Sequence, residues 1–101
     1  MRNTISIAAD FSRYPAGRKV DDGPYSGELF RQNFLEPAMA NESPLVIKFD
    51  GARGYGSSFL EEAFGGLVRA GYAPNVIKSL ISFEASDQSL IDEIIEYIDN
   101  A

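Results

Sequence analysis

Apolar and polar residues alternate in the segment TISIA, residues 4–8, where Ile5 and Ile7 share one side. A period of two is typical of a half-buried strand, so this segment predicts the first strand. The apolar run LVIKF, residues 45–49, predicts a second strand that is buried on both faces. A third strand is predicted inside KSLISFEA, residues 78–85. The chain thus supplies three strands separated by long intervening segments.

Between the first two strands, apolar residues recur at three- and four-residue steps, which is the spacing of an amphipathic helix. This helix is predicted to run from Gly27 to about Ala40. Ser26 is its expected N-terminal cap, and Pro37 is expected to kink it. One face of the helix should therefore belong to the core.

The segment SFLEEAFGGLVRAG predicts a second helix that begins at Ser58 and ends at Gly71. Its apolar residues form two adjacent rows, which leaves Glu61, Glu62 and Arg69 to face water. Neighbouring carboxylates on a helix point in different directions, so Glu61 and Glu62 are not expected to share a proton.

A turn over Tyr-Ala-Pro-Asn, residues 72–75, is expected to lead into the third strand. After that strand, Ser86 or Asp87 is expected to cap a last helix. Its apolar stripe consists of Leu90, Ile91, Ile94, Ile95 and Ile98. The glycine- and proline-rich segment 10–24 predicts a long loop, with a short edge strand around residues 18–20.

These elements predict a single α/β domain over residues 1–101, with a mixed sheet covered by about three helices. The C-terminal half is predicted to be a βαβα unit. Its crossover should be right-handed and should place two strands parallel in one sheet. Dimerisation through an exposed sheet edge stays open.

Composition narrows the possible functions. The chain has no cysteine and no histidine, which excludes metal sites built on thiolates and catalysis by the commonest general base. We assign no cofactor and no catalytic residue. The net charge is −6, and all charged residues from Glu84 onward are acidic. We therefore expect no nucleic-acid-binding surface. The sequence has no secretion signal and no apolar stretch of about 18 residues. We therefore expect a cytoplasmic protein without a membrane partner.

Two adjacent serines, Ser57 and Ser58, stand where a glycine-rich loop enters the second helix. Ser58 followed three residues later by Glu61 has the pattern of a capping box, in which each side chain accepts a hydrogen bond from the other residue's backbone amide. A helix start also attracts anions, so a phosphate there could be either a ligand or a covalent modification. The pattern leaves the structural and the regulatory roles open.

The loop before these serines offers a second hypothesis, a small-molecule or nucleotide site. Asp50 follows the second strand, where α/β proteins place ligands, and Gly51, Gly54 and Gly56 allow backbone to approach a ligand closely. The simpler interpretation has Asp50 making an Asx-turn into Gly51, with positive φ at a glycine of the tight loop. A nucleotide P-loop is excluded, because the segment GARGYGSS lacks the phosphate-binding lysine.

The segment LVIKFDGARGYGSSFLEEAFGGLV resembles the central motif of STAS domains, which occur in sulfate transporters and anti-sigma-factor antagonists. It is most similar to the STAS-like family of unknown function, in the Ser58-Phe59 step, the turn EEAFG at residues 61–65, and the later strand and acidic helix. The segment GRKVDDGPYSGELFR, residues 17–31, also resembles that family.

The resemblance implies a non-enzymatic, regulatory protein-interaction module. In anti-sigma-factor antagonists, a serine at this helix start is phosphorylated by a GHKL-type kinase, which implies Ser58 as the modified residue, with Ser57 as the runner-up. The implied partner is a kinase or ATPase of that type. The surface around residues 53–62 would bind it, and the candidate contacts are Arg53, Tyr55, Glu61 and Glu62.

Overall fold

The computed structural model describes residues 3–101, and its centre is a three-stranded sheet. The strands are β1 (Asn3–Ser6), β2 (Leu45–Lys48) and β3 (Ile81–Glu84), in the order β1-β2-β3. Both pairings are parallel, with Ile47 opposite Ile5 on one side and Phe83 on the other. The α/β class is confirmed, but over these residues the sheet is parallel and not mixed.

Each strand gives one face of the sheet to the core. Leu45, Ile47 and Ile81 belong to the main apolar cluster, and Ile5 and Phe83 pack against it. Leu45, Val46 and Ile47 of β2 are buried, but Lys48, on the same face as Val46, is exposed, so the predicted burial on both faces holds only for the first part of the strand. The alternate positions Lys48 and Ser82 are exposed. The helices therefore lie against the apolar face.

The first strand is shorter than predicted. It ends at Ser6, whose hydroxyl accepts a hydrogen bond from the Ala9 amide at 3.3 Å and starts a wide helical turn at Ile7–Phe11. The Ser12 amide closes that turn on the Ile7 carbonyl at 2.7 Å. The expected strand at residues 7 and 8 is therefore wrong, because a serine cap competes with strand pairing.

Helix α1 covers residues 27–40 as three continuous segments, Gly27–Phe30, Arg31–Leu35 and Glu36–Ala40. The Ser26 hydroxyl accepts from the Leu29 amide at 3.1 Å, which confirms the predicted cap. The middle segment is a π-helical turn in which the Glu36 amide donates to the Arg31 carbonyl. The irregularity thus lies in the turn just before Pro37.

Helix α2 covers residues 57–69 as Ser57–Leu60, Glu61–Gly65 and Gly66–Arg69, and its middle segment is also π-helical. Gly71 follows with a φ of 112°, which confirms the predicted glycine stop.

The segment after α2 holds an additional helix. Helix α3 (Pro74–Leu80) takes up the second half of the expected turn and continues to the residue before β3, since a proline in the first helical turn starts a helix as readily as it breaks one. Helix α4 (Gln88–Asn100) begins after Asp87, which decides between the two predicted caps.

The edge strand expected around residues 18–20 is wrong. Val20–Asp22 form a short 3-10 turn, and the Asp22 carboxylate accepts from the amides of Arg18 and Lys19 at 3.1 and 2.9 Å. Within residues 3–101, no helix has the length and apolar composition that a membrane crossing requires.

Candidate partner-binding site

The loop from β2 to α2 turns sharply through two glycines. Gly51 has a φ of 100° and Gly54 a φ of 145°, which confirms the expected positive φ. A Cβ at Gly51 would also lie 3.2 Å from the Cβ of Ala8. The loop therefore folds back beside the turn that follows β1.

Tyr55 closes this loop from the inside. Its hydroxyl donates to the Phe49 carbonyl at 2.5 Å, and its ring packs edge-on against the Phe49 ring at 5.4 Å between centroids. Burial and the charge of Asp50 raise the pKa of the Tyr55 hydroxyl to about 12. Both the hydroxyl and the ring of Tyr55 therefore hold the loop in place. Only the exposed part of this half-buried side chain is available to a partner.

Asp50 connects the loop to the segment after β3. Its carboxylate accepts from the Ser86 hydroxyl at 2.6 Å and from the Ser86 amide at 3.1 Å. These two hydrogen bonds hold the pKa of the Asp50 carboxyl below its usual value. The expected Asx-turn into Gly51 is wrong, because the carboxylate bonds a serine that lies 36 residues away in sequence.

Ser57 and Ser58 occupy the first turn of α2, and both are exposed. The N-cap is Gly56, which provides no side-chain hydrogen bond, so the predicted capping box of Ser58 with Glu61 is wrong. Over residues 3–101, neither serine hydroxyl takes part in a hydrogen bond. Both serines are therefore exposed to solvent without a structural hydrogen bond among the described residues.

Arg53 projects from the same loop beside the N-terminal segment. Its backbone amide donates to the Arg13 carbonyl at 2.8 Å, and its guanidinium lies 5.9 Å from the centroid of the Tyr14 ring. Tyr14 is 62% exposed, and both arginine side chains are exposed. The sequence placed Arg53 at the site but did not indicate that Arg13 and Tyr14 lie next to it.

One turn further along α2, Glu62 is 4% exposed, which corrects the expectation that this side chain faces water. Arg31 of α1 donates to its carboxylate at 2.6 Å and to its backbone carbonyl at 2.8 Å. Lys19 donates to the same carboxylate at 3.2 Å. Glu62 therefore holds α1 and the N-terminal loop against α2.

Glu61 completes this group of charges. Arg69 donates to its carboxylate at 2.7 Å and Arg18 at 2.5 Å. We refer to Glu61 and Glu62, together with their four basic partners, as the carboxylate cluster. Its basic members are Arg18, Lys19, Arg31 and Arg69.

Both carboxyl groups in the cluster are held in the charged form. Burial acts to raise the pKa of Glu62, but the hydrogen bonds from Arg31 and Lys19 outweigh it and keep that pKa below its usual value. A hydrogen bond from Arg69 lowers the pKa of Glu61 against partial burial, and Arg18 adds to the effect. The cluster is a network of ion pairs with no free acid–base group, and it is not arranged for proton transfer.

Two glycines make this cluster possible. A Cβ on Gly27 would collide with the Phe59 carbonyl oxygen, and a Cβ on Gly66 would collide with the Arg31 guanidinium. The adjacent pair Gly65-Gly66 inside a helix pattern was the available signal, since glycine in a helix interior often marks a close approach.

The residues predicted as a ligand site line a cavity of about 380 Å³. Asp50, Gly51 and Gly54 form one wall, and Asp87 and Glu93 come from the start of α4. Three carboxylates repel a nucleotide phosphate, and Gly56 does not line this cavity. Among residues 3–101, no group of three or more acids is placed so that it could hold a metal ion. The small-molecule hypothesis remains a prediction, with cationic ligands favoured over phosphates.

A larger, open cavity of about 650 Å³ lies at the carboxyl ends of the strands. Ser6, Lys48 and Glu84 contribute from the three strand ends, and Ser86 and Gln88 from the approach to α4. The sequence did not single out this position, apart from Asp50 at its border. Its lining mixes both charges and favours no ligand class.

Comparison with known proteins gives one match. Residues 26–90, more than half of the chain, match the family model described as a STAS-like domain of unknown function. Neither the curated proteins nor the solved structures contain a significant match. The matched range includes the cap of α1, strand β2, the two serines, the carboxylate cluster except Arg18 and Lys19, and strand β3.

Proposed function

The chain belongs to the family of STAS-like domains of unknown function, and we propose that it is a non-enzymatic regulatory module that binds a protein partner through residues 53–58. The observation that carries the proposal is the state of Ser57 and Ser58. Both lie exposed in the first turn of α2, and the hydrogen bonds of residues 3–101 use neither hydroxyl. A structural role as helix cap therefore does not account for them.

A phosphate on either serine would change the surface while leaving the fold intact. The first amides of a helix have no intrahelical acceptor, and the helix dipole favours negative charge at this end. Phosphorylation adds nearly two negative charges. The modified domain would stay folded while its contact surface becomes strongly anionic. Ser58 is the first candidate and Ser57 the second, and the resemblance to anti-sigma-factor antagonists suggests a GHKL-type kinase or ATPase as the partner.

The accessible part of the surface is narrower than residues 53–62. Arg53 is exposed, Tyr55 is half-buried, and Glu61 is partly covered by its two arginines. Glu62 is buried and can contact a partner only if the carboxylate cluster opens. The proposed contacts are therefore Arg53, the two serines and the outer edge of Tyr55.

The test compares capture of proteins from native extract by the wild-type domain, Ser58→Ala, Ser58→Asp and Ser57→Asp. Gln32→Glu is the matched control, because Gln32 is exposed on α1 and the change adds one negative charge elsewhere. We expect at least one protein to bind wild type, Ser58→Ala and Gln32→Glu, and to be reduced by about tenfold or more with an aspartate at the modified serine.

Mass spectrometry of the wild-type domain after incubation with extract and ATP identifies the modified serine directly. Circular dichroism checks that each variant is folded. The proposal fails if no captured protein distinguishes Ser58→Asp or Ser57→Asp from Gln32→Glu.

A further inference from the structure

Arg13, Tyr14 and Arg53 form an exposed surface that we call the arginine–tyrosine surface. The Arg53 amide bonds the Arg13 carbonyl, and the Arg53 guanidinium lies over the Tyr14 ring. Tyr25 is 42% exposed, and its backbone carbonyl accepts a hydrogen bond from the Ala16 amide at 3.0 Å, which holds Tyr25 next to the segment that contains Arg13 and Tyr14. The backbone of the segment after β1 and that of the loop before α2 are thus held together, and the Arg53 and Tyr14 side chains are in contact.

The charges of this surface are unusual for the molecule. The net charge is −6, and the last helix offers only acids. Most of the other bases are in ion pairs: Arg18, Lys19, Arg31, Arg69 and Lys78. Over residues 3–101, Arg13 and Arg53 have no carboxylate partner. Two guanidinium groups without an ion pair in the described part of the chain therefore belong to this surface, and one of them is on the proposed contact residue Arg53.

We propose that the arginine–tyrosine surface binds an acidic segment of the protein partner, one that carries several aspartate or glutamate side chains. Guanidinium groups bind carboxylates through paired, charge-assisted hydrogen bonds. An exposed tyrosine adds apolar area and a hydroxyl, and arginine and tyrosine are enriched where interfaces are strongest. This inference rests on the proposed function, because it names the chemistry of the partner for the same surface.

The position of the serines explains how phosphorylation would regulate binding of this acidic segment. Ser57 lies four residues after Arg53, at the end of the same loop. A phosphate there repels an acidic segment and also offers Arg53 an anion within the same chain. Both effects weaken binding of a partner that carries carboxylates, and both are reduced by salt. A nucleic acid fits the surface less well, because its extended phosphate backbone would meet the acids on the rest of the molecule.

The test uses octaglutamate, blocked at both ends, as the probe in an NMR titration of the ¹⁵N-labelled domain at low salt. We expect saturable shifts of the backbone amides at residues 13–14 and 53–58. The double variant with Arg13→Gln and Arg53→Gln should bind about three- to tenfold more weakly, and Ser58→Asp should weaken binding by a similar factor. Lys48→Gln is the matched control, since Lys48 is also exposed and unpaired within residues 3–101 but lies at the other cavity. This control should change affinity by less than about 1.5-fold.

Shifts that are spread over the surface, or an equal loss in Lys48→Gln, overturn the inference. Equal affinity for an oligothymidylate of the same charge also overturns it and points to a nucleic acid. If octaglutamate binds as expected but no extract protein responds to Ser58→Asp or to Ser57→Asp, the proposed function fails while the surface chemistry stands. If an extract protein responds to Ser58→Asp but octaglutamate does not bind, the switch stands and the acidic partner is wrong.

Discussion

Two neighbouring turns of α2 are built in opposite ways. In the first turn, Ser57 and Ser58 are exposed, and the structure over residues 3–101 gives their hydroxyls no hydrogen bond. In the next turn, Glu61 and Glu62 receive hydrogen bonds from basic side chains of three different parts of the chain. The two serine hydroxyls thus have no hydrogen-bond partner among residues 3–101, whereas both glutamate carboxylates form ion pairs.

The difference shows which part of the helix holds the fold and which part is available to a partner. A buried carboxylate needs ion pairs and hydrogen bonds, because desolvation penalises the charged form. An exposed hydroxyl needs none, since water satisfies it. We therefore expect changes in the carboxylate cluster to act on stability, and changes at the serines to act on binding.

The largest effect is expected from Glu62→Gln. The change keeps the shape of the side chain but removes the buried carboxylate partner of the Arg31 guanidinium, which is 11% exposed and retains only the more exposed Glu36, at 2.9 Å. Removing one partner of a buried ion pair costs about 3 kcal/mol or more of unfolding free energy. Urea denaturation followed by circular dichroism measures it. Glu96→Gln on the exposed face of α4 is the control and should stay within about 0.5 kcal/mol. A cost below about 1 kcal/mol would mean that the cluster does not hold the helices together.

The next effect is expected from Gly27→Ala, which tests the close approach of α1 and α2. The new Cβ would collide with the Phe59 carbonyl oxygen and lie 3.1 Å from the Cβ of Glu62. Overpacking of this kind costs about 1–3 kcal/mol, although alanine is the better helix former by about 1 kcal/mol. The matched control is Gly56→Ala, where φ is −68° and no atom lies within 4 Å of the added Cβ. Equal melting temperatures for the two variants would contradict the predicted contact.

Lowering the pH should remove part of the stabilisation of the folded state that the charged Glu62 carboxylate provides. Its pKa is lower in the folded protein than the usual 4.5, so the unfolded chain takes up the proton first as the pH falls. The stabilisation is therefore complete above about pH 5 and is lost as the pH falls below 4.5. Unfolding free energies measured between about pH 6 and pH 3 should fall more steeply for wild type than for Glu62→Gln. Parallel curves would show that Glu62 is not held charged by its partners.

Much of the fold follows from local patterns in the sequence. The apolar run of β2, the Ser26 cap and the Gly71 stop were all predicted, because each depends on residues close in sequence. The errors occur where two local signals compete. Ser6 ends β1 early by capping a turn, and Pro74 starts α3 where a turn was expected. Both residues can either interrupt or begin an element.

The site was less predictable, because its contacts join residues that are distant in sequence. Arg31 and Glu62 are 31 residues apart, and Asp50 and Ser86 are 36 apart. No local spacing encodes such pairs. The motif around Ser58 and Glu61 has the local form of a capping box, but Arg18 and Arg69 bind Glu61 instead. An ion pair from elsewhere in the chain thus overrides a weaker local preference.

The smallest effect is expected at the serines of α2, and comparison with Ser26 makes it measurable. The Ser26 hydroxyl is buried and caps α1, so Ser26→Ala should cost about 1–2 kcal/mol of unfolding free energy. Ser58→Ala should change it by less than about 0.5 kcal/mol, because no hydrogen bond among residues 3–101 is lost. Ser58→Asp should be neutral or slightly stabilising, since the helix dipole favours an acid in the first turn. Urea denaturation of the three variants measures these differences. If Ser58→Ala proves as costly as Ser26→Ala, Ser58 is a cap in solution, and its exposed hydroxyl would no longer support a regulatory role.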